Sequence, residues 1–121
     1  MKVADEVWVV TALLHHENPR RPDFSVAEIV DRAAVEGLSA ELRPGVQVHA
    51  ALHCVANKRP NPANYRMLYE TGRGRRRLFR MGDLAHPYRK GKITPSPDNI
   101  PEAYHYLFDW YRNDYGGASN E

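Results

Sequence analysis

Residues 23–37 have the sequence DFSVAEIVDRAAVEG, which carries the clearest structural signal in the chain. Ser25 followed by Glu28 forms a capping box, in which each side chain satisfies a free backbone amide at the start of a helix. Gly37 stands where glycine commonly ends a helix in the left-handed conformation. The segment therefore predicts a helix over residues 26–36.

One helix is predicted before this segment and another after it. Residues 3–16 carry valines and leucines at helical spacing, which gives that helix one apolar face for a core. Residues 44–57 have Pro44 in their first turn, where proline is compatible with a helix. The chain is thus expected to begin with three helices in succession.

The third of these helices has two different faces. Val48, Leu52 and Val55 lie within about 60° of one another at 100° per residue, so they predict a buried stripe. The opposite face is polar and free of acids, and such a face suits the base edges in a major groove. Its residues are Gln47, His49, Ala50, His53 and Asn57, and Lys58 and Arg59 extend it with positive charge.

A β-hairpin follows the three helices. Alternating side chains over residues 65–70 and 75–81 predict two strands, with Gly72 and Gly74 between them. Four arginines are crowded into this stretch, and their mutual repulsion favours an anionic partner such as phosphate, which a guanidinium binds in a bidentate manner. These arginines are Arg73, Arg75, Arg76 and Arg77.

Charge is sorted along the chain, although its 121 residues carry a net charge of only +2. Residues 43–92 hold twelve lysines and arginines against two acids, whereas residues 1–42 and 93–121 each carry −4. A basic middle indicates a positively charged face and a polyanionic partner. The alternative is that these arginines are solvated and paired with the acidic ends of the chain.

The composition argues against several classes of protein. The single cysteine, Cys54, excludes an intramolecular disulfide, and no apolar run approaches the roughly 20 residues of a membrane span. The start of the sequence does not resemble a secretory signal, so a cytoplasmic location is expected. His49 and His53 share a helical face without a third metal ligand, and no catalytic constellation emerges. We therefore expect no enzymatic activity and no cofactor.

Residues 84–121 extend the domain beyond the hairpin. A proline-rich extended segment leads to a helix over residues 100–113, whose aromatic stripe is expected to pack on the same domain rather than to form a dimer surface. Within the extended segment Arg89, Lys90 and Lys92 have two open interpretations. They either add a contact to phosphate or keep the loop soluble.

The order of three helices and a basic hairpin resembles that of the winged helix-turn-helix superfamily. The similarity covers residues 1–83 and is greatest to the HARE helix-turn-helix group and related uncharacterised prokaryotic domains. It rests on the segments DFSVAEIVDRAAVEG, LRPGVQVHAALHCVAN and YRMLYETGRGRRRLFRMGD. The resemblance implies an α+β fold with an added C-terminal helix. It places helix 44–57 in a major groove and the wing, residues 71–77, on the DNA backbone.

The resemblance implies DNA binding, as in a transcriptional regulator or a DNA-targeting accessory factor. Double-stranded DNA is the expected partner, and a homodimer or a protein partner remains open. Phosphates would be held by the hairpin arginines with Lys58 and Arg59, and bases would be faced by the polar side of the third helix. The alternative function is a protein-interaction adaptor, antitoxin-like or part of a nuclease complex, because a fold alone does not decide function.

Overall fold

The structure, a computed structural model, describes residues 1–39, 41, 43–60 and 62–120. Four residues within the predicted ranges 1–83 and 84–121 therefore lie outside it, namely Ala40, Leu42, Asn61 and Glu121. Its α+β elements are α1 (Val3–Glu17), β1 (Phe24–Ser25), α2 (Val26–Glu36), α3 (Gly45–Val48), β2 (Leu68–Gly72), β3 (Arg75–Leu78) and α4 (Tyr106–Trp110). Single π-helical turns continue α3 over His49–His53 and α4 over Tyr111–Tyr115, and 3₁₀ turns occupy Pro97–Asn99 and Glu102–Tyr104. No helix in the described ranges is long and apolar enough to cross a membrane.

The predicted capping box of α2 is confirmed. The Ser25 hydroxyl accepts a hydrogen bond from the Glu28 amide, and the Glu28 carboxylate accepts one from the Ser25 amide, each at 3.0 Å. Hydrogen bonds from Arg21 and from the Ser25 amide lower the pKa of Glu28 to about 2, so the capping carboxylate stays ionised. Gly37 ends the helix with a φ of 64°, which glycine adopts without strain. Local contacts thus define both ends of α2.

Helix α1 lies at the centre of the core and is buried on almost every side. Its side chains from Ala4 to Leu13 are at most 4% exposed. The sequence predicted one apolar face, and α4 covers another, since the Trp8 ring stacks on Phe108 with 5.0 Å between ring centroids. The C-terminal helix thereby enlarges the core of a small domain, which buries proportionally less surface than a large one.

Two buried carboxylates of α1 are paired with half-buried cations from distant loops. Asp5 pairs with Lys92 at 2.8 Å, and Glu6 accepts a hydrogen bond from Arg43. A buried carboxylate is costly without a cationic or hydrogen-bonding partner, so these two pairs hold their loops against α1. Lys92, which the sequence left open as a phosphate contact, is therefore engaged inside the protein.

The three strands form an antiparallel sheet in the order β1-β3-β2. The predicted hairpin is confirmed, although its paired strands are shorter than expected and end at Gly72 and Leu78. The sequence did not predict β1, which pairs with β3 at Phe24 and Arg76. This pairing joins the start of α2 to the hairpin, so the hairpin is fixed to the helical part of the domain.

His15 connects α1 to the sheet. Its Nε2 atom accepts a hydrogen bond from the Leu78 amide at 3.2 Å, and its ring meets Phe24 edge-on with 4.9 Å between ring centroids. Burial, followed by the guanidiniums of Arg80 and Arg77, lowers the pKa of His15 from 6.5 to about 3. The ring is therefore neutral at pH 7 and acts as an acceptor.

The third helix is shorter than the predicted range of 44–57. Regular α-helix ends at Val48, and in the π turn that follows the Cys54 amide donates to the His49 carbonyl at 2.9 Å. A π turn contains more residues than an α turn, so an angle of 100° per residue does not hold through it. The side of this helix that faces the core therefore had to be established from the structure.

The buried stripe of the third helix differs from the predicted one. Val46 and Ala50 are fully buried, whereas Val48 is 45% exposed. The prediction of a buried side chain is thus wrong for Val48. It is correct for Val55, which is fully buried, and partly correct for Leu52, which is half-buried. Val46 and Ala50 lie four positions apart and so share one face of the helix, and the Ala50 carbonyl on that side accepts a hydrogen bond from Arg76 of β3.

Candidate nucleic-acid interface

Of the five residues on the predicted base-facing side of the third helix, Gln47, His49, His53 and Asn57 are exposed or half-buried. Gln47 is exposed, and His49 and His53 are half-buried with perpendicular rings whose centroids lie 4.9 Å apart. The Nδ1 atom of His49 lies 2.8 Å from the Gly45 carbonyl oxygen. Ala50 requires a correction: it is fully buried, so it is not part of the predicted base-facing surface.

Arg76 was predicted to contact phosphate, but its side chain is 3% exposed. Its Nε donates to the Ala50 carbonyl at 3.0 Å, its Nη2 donates to the Ala51 carbonyl at 3.1 Å, and its Nη1 pairs with Glu70 at 3.2 Å. Side chains alternate along a strand, and Arg76 shares the inward side of β3 with Leu78. Burial lowers the pKa of Arg76, and Glu70 opposes that shift.

Arg89 makes a similar contact from the C-terminal segment and is 3% exposed. Its Nε donates to the carbonyl of Lys58 at 2.6 Å, and its Nη2 donates to that of Leu52 at 2.8 Å. Its Nη1 donates to the carbonyls of His53 at 2.8 Å and Tyr65 at 2.9 Å. Burial lowers the pKa of Arg89, which forms no ion pair with a carboxylate of the described residues.

Together the two guanidiniums bind the carbonyls of residues 50–53, four in succession at the end of the third helix. The last carbonyls of a helix have no partner within it and form the negative end of its dipole, so cationic donors stabilise them. Arginine suits this position because its planar fork carries five N–H donors. Part of the basic middle of the chain therefore serves to hold the helix.

Most of the hairpin charge is neutralised by carboxylates of the same chain. Arg75 pairs with Asp23 and Arg77 with Asp83, each at 2.7 Å. The charge pattern left open the alternative that the arginines pair with the acidic ends of the chain. Arg75 does so, because Asp23 belongs to the acidic residues 1–42. Arg73 differs from its neighbours, because it is exposed in the turn and forms no ion pair within the part of the chain that the structure describes.

Asn57 is bound to β2 instead of being directed at a partner. Its Nδ2 donates to the Glu70 carbonyl at 3.0 Å, and its Oδ1 accepts from the Glu70 amide at 2.8 Å. Lys58 pairs with the Glu70 carboxylate at 3.2 Å. Arg59 is exposed and without an ion pair to any described residue. Of the predicted phosphate contacts, Arg59 and Arg73 therefore remain uncommitted.

A segment whose role the sequence left open lies beside the end of the third helix. We call residues 86–92 the strap. The His86 amide donates to the Ala56 carbonyl at 2.7 Å, and the Gly91 amide donates to a carbonyl of the preceding loop at 2.9 Å. With the buried guanidinium of Arg89 between them, these bonds fix the strap against the helix end. The open interpretations of Arg89 are thereby replaced by a structural one.

The roles of the two buried arginines were missed because their partners are distant in sequence. Arg76 and Arg89 reach carbonyls that lie between 24 and 37 positions away. For Arg76 one signal was available, since strict alternation along β3 places it on the side of Leu78. For Arg89 no local pattern indicates burial, because the flanking residues form an irregular segment rich in proline and glycine.

No protein-family model, no curated protein and no solved structure matches this chain. The candidate interface accordingly rests on geometry. It consists of the exposed Gln47 and the half-buried His49 and His53 of the third helix, together with the uncommitted arginines Arg59 and Arg73.

Proposed function

We propose that the chain is a DNA-binding protein of the winged-helix type, which places its third helix in the major groove of a duplex. Three helices followed by a hairpin, with β1 paired to β3, support this assignment. The observation that carries the proposal is the way in which the third helix is held in the domain. Two buried guanidiniums lock its C-terminal end and leave Gln47, His49 and His53 at or near the surface.

A rigid helix is what base readout requires, because contacts to base edges tolerate little positional error. Gln47 is suited to adenine, with which glutamine forms a bidentate pair. Arg59 and Arg73 would hold phosphates, which supply affinity without sequence preference. Arg75 and Arg77 contribute less in this proposal because each already holds a carboxylate.

Changing both Arg59 and Arg73 to alanine should weaken binding to every duplex, by roughly 10-fold or more at low salt. The slope of log affinity against log salt should become shallower by about 2, since two phosphate contacts are lost. Fluorescence anisotropy with a labelled random-sequence duplex over a salt series measures both quantities. Arg112→Ala is a control for loss of an arginine outside the candidate interface, because this exposed side chain pairs with Asp109 in the C-terminal helix.

Two results would count against this proposal. Failure of the wild-type protein to bind duplex DNA at low salt would overturn the function itself. An unchanged affinity and an unchanged salt slope in the double variant would remove these two arginines from the interface. Gln47→Ala should leave the salt slope intact and alter the preference among defined duplex sequences instead.

A second candidate function is a protein-interaction adaptor, and the ion pairs of the hairpin arginines favour this function. Three of the four hairpin arginines already contact carboxylates of this chain, so the hairpin offers fewer free cations to a polyanion than its sequence implies. This function predicts a stable stoichiometric complex with another protein and no binding to DNA at low salt. The anisotropy series above therefore separates the two candidates.

A further inference from the structure

Tyr88 is a large aromatic side chain held at the surface by a rigid segment. It is 66% exposed, and its amide donates to the His86 Nδ1 atom at 3.1 Å. The two rings meet edge-on with 5.3 Å between centroids. The next residue, Arg89, is anchored by four hydrogen bonds to backbone carbonyls. The backbone that carries the exposed ring is thus anchored at Tyr88 and at Arg89.

Exposed cations occur in the strap and next to the residue that it contacts in the chain before the hairpin. Lys90 follows in the strap and is exposed, and the hydrogen bond from Arg89 to the Lys58 carbonyl brings the strap beside Lys58 and Arg59. Neither Lys90 nor Arg59 pairs with a carboxylate among the residues described. An exposed ring flanked by cations is the arrangement that binds single-stranded nucleic acid, because a base stacks on the ring while the cations follow the phosphates.

The strap is also continuous with the proposed duplex-binding surface. Arg89 is bonded to the carbonyls of Leu52 and His53 in the third helix and to that of Tyr65, whose ring centroid lies 6.2 Å from that of His49. A DNA strand that leaves a duplex at this end of the helix would therefore meet the strap next.

We propose that the strap is a stacking platform for an unpaired DNA base, with Tyr88 as the stacking ring and with Lys90 and Arg59 on the adjoining phosphates. This inference rests on the proposed function and narrows its substrate to duplex DNA that carries a single-stranded extension. Bases inside a duplex are stacked on their neighbours, so only an unpaired base offers a free face to the ring.

The test compares two labelled probes, a blunt duplex and the same duplex with a single-stranded thymidine extension. The wild-type protein should bind the extended probe at least about 5-fold more tightly, which is the contribution of one stacked base. Tyr88→Ala should abolish this preference and leave the affinity for the blunt duplex unchanged, whereas Tyr88→Phe should retain it. Tyr106→Ala, which removes a tyrosine of α4 that is 46% exposed, should behave as wild type.

The possible outcomes separate this inference from the function on which it rests. Equal wild-type affinity for both probes, or an undiminished preference in Tyr88→Ala, would overturn the stacking platform while leaving duplex binding intact. Absence of wild-type binding to either probe would overturn the DNA-binding function and the platform with it. Because the Tyr88 side chain is largely exposed, its removal should not unfold the protein, and circular dichroism of the variant checks this.

Discussion

Replacing Arg89 with methionine should lower the free energy of unfolding by about 3–5 kcal/mol. Methionine preserves much of the side-chain volume, but the carbonyls of Leu52, His53, Lys58 and Tyr65 lose their shared donor in a buried environment. The end of the third helix also loses a cation that opposes the negative end of its dipole. Urea unfolding followed by circular dichroism measures the change.

Two companion variants make this result interpretable. Arg112→Met removes an arginine whose side chain is 59% exposed, and it should change the free energy of unfolding by no more than about 0.5 kcal/mol. Arg89→Lys should recover only part of the loss, because an ammonium lacks the planar fork that reaches several carbonyls at once. A variant Arg89→Met as stable as wild type would show that the carbonyls find other partners and that the guanidinium does not hold the helix.

Lowering the pH from 6.5 to 5 should reduce the free energy of unfolding by about 1.5–2 kcal/mol through His15 alone. In the folded protein the pKa of His15 is lowered to about 3 by burial and by Arg80 and Arg77, whereas in the unfolded chain it returns to about 6.5. Below pH 6.5 the unfolded state therefore binds a proton that the folded state excludes. The stabilisation is complete above pH 6.5 and is lost as the pH falls towards 3.

The window from pH 6.5 to 5 isolates this effect from the carboxylates. Groups such as Glu28, whose pKa is lowered from 4.5 to about 2 by folding, destabilise the fold mainly as the pH falls below 4.5. His15→Gln keeps an acceptor for the Leu78 amide and should flatten the pH dependence of the unfolding free energy in this window. His16→Gln, an exposed neighbour on the same helix, should leave it unchanged. A titration of the wild-type His15 ring above pH 5 by NMR would refute the argument.

The third helix shows a limit of predicting the buried face of a helix from the spacing of apolar residues. Its existence was predicted, but the pattern placed Ala50 outside and Val48 inside, and the structure reverses both. Val46 and Ala50, which lie four positions apart, share the inward face, and Val48, about 200° from Val46 on an α-helix, is therefore turned outward. The hydropathy of the segment does not distinguish this face from the predicted one, because valine occurs on both.

The charge pattern shows a second limit of prediction from the sequence. Composition correctly locates an excess of cations in residues 43–92, but it does not state what each of them contacts. Arg76 and Arg89 bind backbone carbonyls, Arg75 binds Asp23, and only a few cations such as Arg73 stay uncommitted in the described chain. A prediction from net charge therefore overstated the number of arginines available to a polyanion.

The amino-acid sequence alone determined the features that depend on near neighbours. The ends of α2 follow from Ser25, Glu28 and Gly37, which interact within a few positions, and the hairpin follows from alternation and two glycines. Only the tertiary structure decided which side of the third helix is buried and where the guanidiniums go. Those outcomes depend on groups more than 20 positions apart in the sequence. Each guanidinium can bind a carboxylate, a backbone carbonyl or water, and which of them it binds is decided only when the whole chain packs.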